Sequence, residues 1–317
     1  MNSPPGSFIR LSTDQFAERD RIEATREIFG RAILKCGFEP LPDIPFHMDM
    51  VLRALPDFGF SSGTCSAMNC FVTSQLMSSD DVFLTVALSG GGVCYGRGRE
   101  EQIGSGMAFV GRSTDEGRFY IHSNSEFVNL RFPFNRVAPL ITDLDAALVR
   151  PIPANTEALR LLVHYAGVLR EEDTLGTPEV RNLVVTHLHD LAALALGATR
   201  DAAAVAAGRG VPAARLRAIK ADIVENLTNR QLSIDSVAAR HRITPRYIRM
   251  LFESDATTFS EFVLVQRLHR AYRMLIDPRF PDRTVSSVAF EAGFGDLSYF
   301  NRAFRRRYGA TPSNVRS

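Results

Sequence analysis

Leu232-Ser-Ile-Asp-Ser-Val-Ala-Ala-Arg-His-Arg-Ile-Thr-Pro-Arg-Tyr-Ile-Arg-Met-Leu-Phe252 decides the fold of the C-terminal third of this chain. Its pattern returns in Thr284-Val-Ser-Ser-Val-Ala-Phe-Glu-Ala-Gly-Phe-Gly-Asp-Leu-Ser-Tyr-Phe-Asn-Arg-Ala-Phe304. Each stretch reads as a short helix, a tight turn and a second helix with arginine on its outer face. A helix-turn-helix places its second helix in a DNA major groove, so two on one chain predict a DNA reader.

The chemistry of each second helix follows from its spacing. Thr244 suits an N-cap and Pro245 the first helical position. Ile248, Leu251 and Phe252 then form a buried stripe, and Arg246, Arg249 and Met250 share the opposite face. Arginine bonds guanine O6 and N7 in pairs, and a methionine suits a thymine methyl. In the second copy Asp296 is the cap, and Phe300, Ala303, Phe304 and Tyr308 face inward. Ser298, Asn301, Arg302 and Arg305 face outward. Asn301 suits adenine and Arg302 guanine, whereas Thr244, Arg305 and Arg306 are assigned to phosphates. Between the copies, Phe259 to Leu275 reads as one helix of about 26 Å, at ~1.5 Å per residue. That rod, with the width of the flanking motifs, suits grooves ~34 Å apart.

The chain has 317 residues and a net charge of +2, which hides a division. Residues 213–317 hold 18 basic and 10 acidic residues, net +8, and residues 1–212 hold 19 and 25, net −6. A nucleic-acid-binding module joined to a non-binding partner domain has this asymmetry. No apolar run reaches the length of a membrane helix, and Met1-Asn-Ser-Pro-Pro-Gly lacks a secretory pattern. Cys36, Cys65, Cys70 and Cys94 include no C-x-x-C pair and fit a reducing compartment. A cytoplasmic, nucleoid-associated protein with no membrane partner is expected.

Upstream, Ser12-Thr-Asp-Gln15 reads as a capping box, with Phe16, Ile22, Thr25, Phe29 and Ile33 at helical spacing behind it. From Pro45 to Phe134 the period shortens. Phe46, Met48, Met50 and Leu52 alternate with polar or smaller neighbours. Val82–Leu88 is an apolar strand ended by Ser89-Gly-Gly-Gly92, and Glu126–Phe132 is another. Frequent turns between short strands predict a small barrel or sandwich. Helical stripes return at Leu159, Leu162, Val163, Ala166 and Leu169. A second set comprises Val180, Leu183, Val184, His187, Leu188, Leu191 and Leu194. Such helices suit packing on the strands or on a second copy. The small-residue-rich stretch 199–212 is expected to be an interdomain linker.

Residues 215–317 resemble the AraC/XylS family of bacterial transcription regulators. The resemblance is carried by Val288-Ala-Phe-Glu-Ala-Gly-Phe294, Ser298-Tyr-Phe-Asn-Arg-Ala-Phe304 and Tyr308-Gly-Ala-Thr-Pro312. It implies a seven-helix domain (213–317) with helix-turn-helix motifs at about 234–255 and 285–308. By motif position it puts Arg246, Arg249 and Met250 in one groove and Leu297, Ser298, Asn301 and Arg302 in the next. Two positions depart from the family. Arg242 stands where the first turn usually has glycine, after His241 in place of an apolar residue, and Val315 replaces a terminal aromatic. Arginine at a positive φ predicts a strained turn and a looser first reader.

The segment 1–198 is similar to the cupin-like sensor domains of one branch of that family, through Val82–Gly92, Ile103–Val110 and Val128–Phe132. This implies an α+β protein: a cupin-like β-barrel with flanking helices, then the all-α reader. It also implies an effector-responsive activator of promoter DNA, working as a homodimer with RNA polymerase and a small organic effector. A redox-responsive or effector-free regulator is the alternative, and a barrel enzyme tethered to DNA is another.

Enzymatic readings lack a constellation. The strand region holds only His47 and His122, and His187-Leu-His189 lies on a helix where i and i+2 diverge, with His187 on the core stripe. No glycine-rich phosphate loop and no G-x-S-x-G elbow occurs. Neither catalytic residues, nor a metal, nor a cofactor is expected. A Cys65–Cys70 redox switch requires their strands to be adjacent.

Overall fold

Alternation between Phe8 and Pro133 forms eleven strands among the residues that the computed structural model describes, which are 8–27, 36–42, 44–72, 80–171, 175–229, 231–277 and 283–316. They are β1 (Phe8–Ser12), β2 (Gly37–Pro40), β3 (Met48–Leu55), β4 (Phe58–Cys65), β5 (Met68–Val72) and β6 (Asp81–Ser89). After them come β7 (Gly92–Gly96), β8 (Arg99–Ile103), β9 (Ala108–Arg112), β10 (Gly117–Ile121) and β11 (Ser125–Pro133). They pair as a six-stranded sheet, β1-β3-β4-β11-β6-β9, and a five-stranded sheet, β2-β5-β10-β7-β8. All pairings are antiparallel. The expected barrel is corrected here: among the described residues the two sheets do not close into one ring. The chain passes from one sheet to the other over short links such as Ser66-Ala67, between β4 and β5.

In the larger sheet, period two separates two chemistries. Leu84, Val86, Val128, Leu130 and Phe132 are fully buried with α4 (Glu157–Ala166) and α5 (Pro178–Leu196) in one core. Each such side chain contributes about 1.5–3 kcal/mol by leaving water. The alternate positions Phe83, Thr85, Phe127 and Asn129 face the other sheet. Three short helices, α1 (Arg21–Thr25), α2 (Phe134–Val137) and α3 (Leu144–Ala147), complete the strand region.

Three sequence readings change. The long helix expected after Ser12 is two 3₁₀ turns and the five-residue α1; Phe29 and Ile33 lie outside the described residues. Leu11 pairs with Met50 in β1–β3, and Thr13 Oγ1 accepts from the Met48 amide at 3.0 Å, so the ladder claims this segment. On α5, Val180 and Leu183 are 40% and 54% exposed although they belong to the apolar stripe. The buried stripe instead begins at Val184. The stretch 199–212 folds as α6 (Arg200–Gly208) and the start of α7 (Gly210–Glu225). Its small residues are chiefly alanine, the best helix former, and the Thr199 hydroxyl caps α6 by accepting from the Ala202 amide.

The chain divides into two compact units, Met1–Ala214 and Arg215–Ser317. The second contains most of α7, then α8 (Ile234–His241), α9 (Pro245–Ser254), α10 (Phe259–Leu275), α11 (Val285–Glu291), α12 (Leu297–Tyr308) and α13 (Pro312–Arg316). These are seven helices among the described residues. One core joins Ile219, Ile223, Val237, Ile248, Leu251, Phe252 and Val263. The other joins Leu268, Ala271, Leu275, Val288, Phe294, Phe300 and Phe304. Helix α10 therefore supplies Val263 to one core and Leu268 to the other, which fixes the two helix pairs to a common rod.

Candidate nucleic-acid interface

Helices α8 and α9 are held by short-range bonds that the sequence dictates. Ser233 and Ser236 cap each other at the start of α8, and the Thr244 hydroxyl accepts from the Tyr247 amide at 3.2 Å at the start of α9. Arg242, with φ 55° and ψ 42°, makes the turn between them. Below that turn, Asp222 of α7 accepts from Arg240 Nη2 at 2.8 Å and lies 3.3 Å from His241 Nε2. The polar His241 thus has an acidic partner where the family places an apolar residue.

The second pair is assembled similarly. The Thr284 hydroxyl accepts from the Ser287 amide at 3.0 Å, and Asp296 Oδ1 from the Tyr299 amide at 2.7 Å. Gly293 turns the chain at φ 97°, where a Cβ would stand 2.2 Å from the Leu227 carbonyl oxygen. Arg267 of α10 donates to that oxygen and to the Asn229 carbonyl, both at 3.1 Å. Its burial lowers the guanidinium pKa.

Both second helices are amphipathic as read. Ile248, Leu251 and Phe252 are buried on α9, and Phe300, Ala303 and Phe304 on α12. Arg246, Arg249, Ser298, Asn301, Arg302, Arg305 and Arg306 are exposed, Met250 is 50% exposed, and Thr244 is exposed beside its cap bond. Leu297 is half-buried against the second core. The arginines with a bonded role inside the unit differ from those on the outer faces of α9 and α12. Arg240 is bonded to Asp222, Arg267 to carbonyls and Arg283 to Glu291 at 3.2 Å. Among the described residues, Arg246, Arg249, Arg302, Arg305 and Arg306 have no such partner. Their donors are free for an external acceptor.

Asp222 and Arg267 escaped the sequence reading. Each acts on residues 18 to 40 positions away in the chain, and no local spacing marks such a contact. Val315, in place of the family's aromatic, is half-buried on the second core.

The N-terminal unit holds a second feature. Between its sheets lies a cavity with about 160 Å³ of free volume. Met48 lines it, whereas Phe46 and Met50 pack in an adjoining core with Phe38. All four cysteines line it as free thiols. Burial pushes the pKa of Cys36, Cys65 and Cys94 up to about 12, and that of Cys70 well above its usual value. Cys65 and Cys70 lie on strands of different sheets, β4 and β5, and both line this cavity. His187 shares a 2.7 Å hydrogen bond with the Tyr165 hydroxyl, as a core histidine does. Among the described residues no three His, Cys, Asp or Glu side chains are placed to hold a metal ion, and no helix is long and apolar enough to cross a membrane.

Paired helix-turn-helix units on one rod, with free arginines outward, define a DNA-binding protein with a separate β-rich domain. Residues 25–197 match the family described as AraC-binding-like domain, and residues 237–317 the family described as helix-turn-helix domain. The chain belongs to the AraC family. Transcriptional activator RhrA of Rhizobium meliloti (strain 1021) is 38% identical over 173 residues, 55% of this chain and 53% of that protein. Transcriptional activator NphR of Rhodococcus sp is 32% identical over 94 residues, 30% of this chain and 27% of that protein. The chain spans about half the length, or less, of these relatives. The crystal structure of the AraC-like transcriptional activator CuxR aligns with TM-score 0.49 and 17% identity, covering 84% of this chain and 95% of that one.

Proposed function

We propose that this protein is a cytoplasmic transcription activator that recognises promoter DNA through two adjacent major grooves. The observation that carries this reading is the set of guanidinium groups on the outer faces of α9 and α12 that have no ion-pair partner among the described residues, in a unit where Arg240, Arg267 and Arg283 are bonded to the protein. Arg246, Arg249, Met250, Leu297, Ser298, Asn301 and Arg302 read base edges, and Thr244, Arg305 and Arg306 hold phosphates. The N-terminal unit binds a small organic effector. Its occupancy shifts the population towards the arrangement that engages DNA and RNA polymerase. Val180 and Leu183, exposed on α5, are the apolar contact of a homodimer. The names of the two relatives as activators support a regulator in place of an enzyme.

The test is selection of duplexes from a random pool by the full-length protein at physiological salt. The expected product is a site with two constrained blocks one helical turn apart, about 10 bp. Equal retention of every duplex overturns the reading. A Val180→Asp, Leu183→Asp double variant that sediments as the wild type does overturns the dimer contact.

A further inference from the structure

The cavity between the sheets is built unlike an ordinary core. Phe83, Phe119 and Phe127 point into it and are only half-buried. The rings of Phe109 and Phe119 lie 4.7 Å apart, and those of Phe83 and Phe109 meet edge to face at 6.3 Å. Aromatic faces left uncovered inside a domain forfeit the contacts that a filled interior supplies. The free volume of about 160 Å³ matches the apolar cavities of ~150 Å³ that hold a benzene molecule.

Within this apolar wall sits one polar pair. Asn129 and Thr85 are cross-strand neighbours on β11 and β6, and Asn129 Nδ2 donates to Thr85 Oγ1 at 2.7 Å. That bond leaves the Asn129 carbonyl oxygen, its second N–H and the Thr85 hydroxyl proton unused by the described residues. The four thiols around them are neutral and weakly polar. The charged side chains among its lining residues are each half-buried or exposed, and most form ion pairs. Arg97 donates to Asp115 at 2.6 Å, Arg112 to Asp80 at 2.8 Å, and Arg131 lies 3.7 Å from Asp81. Arg118, also among them, is exposed and reaches the Tyr120 hydroxyl at 3.5 Å.

We propose that this cavity binds an uncharged molecule the size of one six-membered ring, carrying a single hydroxyl, carbonyl or amide group that bonds to the Asn129–Thr85 pair. The proposal rests on the effector reading above and adds the chemical class. A sugar would bring several hydroxyls against phenylalanine and thiol, where each unpaired one is penalised. An anion would have to compete with these carboxylates for their arginines.

The test uses the full-length protein and calorimetric titration with five probes: benzyl alcohol, cyclohexanol, toluene, sodium benzoate and glucose. Benzyl alcohol and cyclohexanol are expected to bind with Kd at or below about 1 mM. Toluene should bind about tenfold more weakly, the worth of one hydrogen bond, and benzoate and glucose not at all. Asn129→Leu should bring benzyl alcohol and toluene to equal affinity. Cys94→Phe, which fills the space, should abolish binding by every probe while retention of the selected duplex persists. Tighter binding of glucose or benzoate than of benzyl alcohol overturns the proposal. So does the absence of any binding by a protein that still retains its duplex. If benzyl alcohol binds in the stated pattern but leaves DNA retention unchanged, the ligand class stands and the effector reading falls.

Discussion

Arg242 and Gly293 occupy the same place in the two helix pairs. Each donates its amide to a carbonyl three residues back, at 3.2 and 3.0 Å, and the residue after each donates to the first alanine of an Ala-x pair, at 3.0 Å in both. Both backbones are left-handed, at φ 55° and φ 97°. Only one of them is glycine. Left-handed backbone costs a residue with a Cβ roughly 1–2 kcal/mol. Arg242→Gly is therefore expected to stabilise the C-terminal unit by about 0.5–1 kcal/mol, after the extra freedom that glycine gives the unfolded chain. Gly293→Ala should destabilise it by more than about 2 kcal/mol, because the new Cβ collides with the Leu227 carbonyl as well. Urea midpoints followed by helical circular dichroism check both signs.

Arg302 and Arg306 share α12 but are assigned different acceptors. Replacing Arg302 by Ala is expected to cost ~1–3 kcal/mol on the preferred site and to relax preference at one base position. Replacing Arg306 by Ala should weaken all duplexes alike and reduce the slope of log K against log salt by about 1. Binding isotherms on the selected site and on a scrambled duplex, at several salt concentrations, separate the two roles. A uniform loss for Arg302→Ala would move that residue to the phosphates.

The C-terminal unit was legible because its signals are local. Caps at Thr244 and Asp296, the 3.6-residue stripes of α9 and α12, and the uninterrupted run Phe259–Leu275 each lie within one element, and α10 has those bounds. The N-terminal unit was legible strand by strand, as in Val82–Leu88 within β6, but its closure into two sheets depends on which distant strands pair. The helices of 199–212 are not legible in its composition, because alanine suits a small-residue linker and is also the best helix former. On α5 the stripe includes Val180 and Leu183 as apolar, but no spacing says that burial begins only at Val184. The Asn129–Thr85 pair required the β6–β11 register, which one strand alone does not contain.

Asp190 and Arg209 form a two-armed pair, with Arg209 Nε and Nη2 donating to the carboxylate at 2.6 and 3.0 Å. Their surroundings differ. The Asp190 side chain is 5% exposed and that of Arg209 is 50% exposed. Removing the arginine strands a buried carboxylate, whereas removing the aspartate frees a guanidinium that turns to water. Arg209→Ala is thus expected to destabilise the N-terminal unit by about 3 kcal/mol at neutral pH and Asp190→Ala by less, about 1–2 kcal/mol. Thermal denaturation of the two single variants measures the order. Equal losses would mean that the pair contributes only as an exposed ion pair does.

Stability should also fall in mild acid, because of two histidines on α5. Burial lowers the pKa of His187 and of His189 below the ordinary 6.5. The unfolded chain then takes up protons before the folded one as pH falls. Their contribution is complete above about pH 6.5 and is lost progressively below it, towards the folded pKa values. Each histidine adds a slope of at most about 1.4 kcal/mol per pH unit. The His189 ring lies 5.0 Å from Phe132 and 6.4 Å from Phe58, so a phenyl ring suits its place. His189→Phe is accordingly expected to keep its stability at pH 7.5 and to lose less than the wild type between pH 6.5 and 5. His187 is bonded to Tyr165, and its share should persist in that variant. Urea midpoints across this range measure the difference in slope, and parallel curves for the two proteins would remove His189 from the account of acid sensitivity.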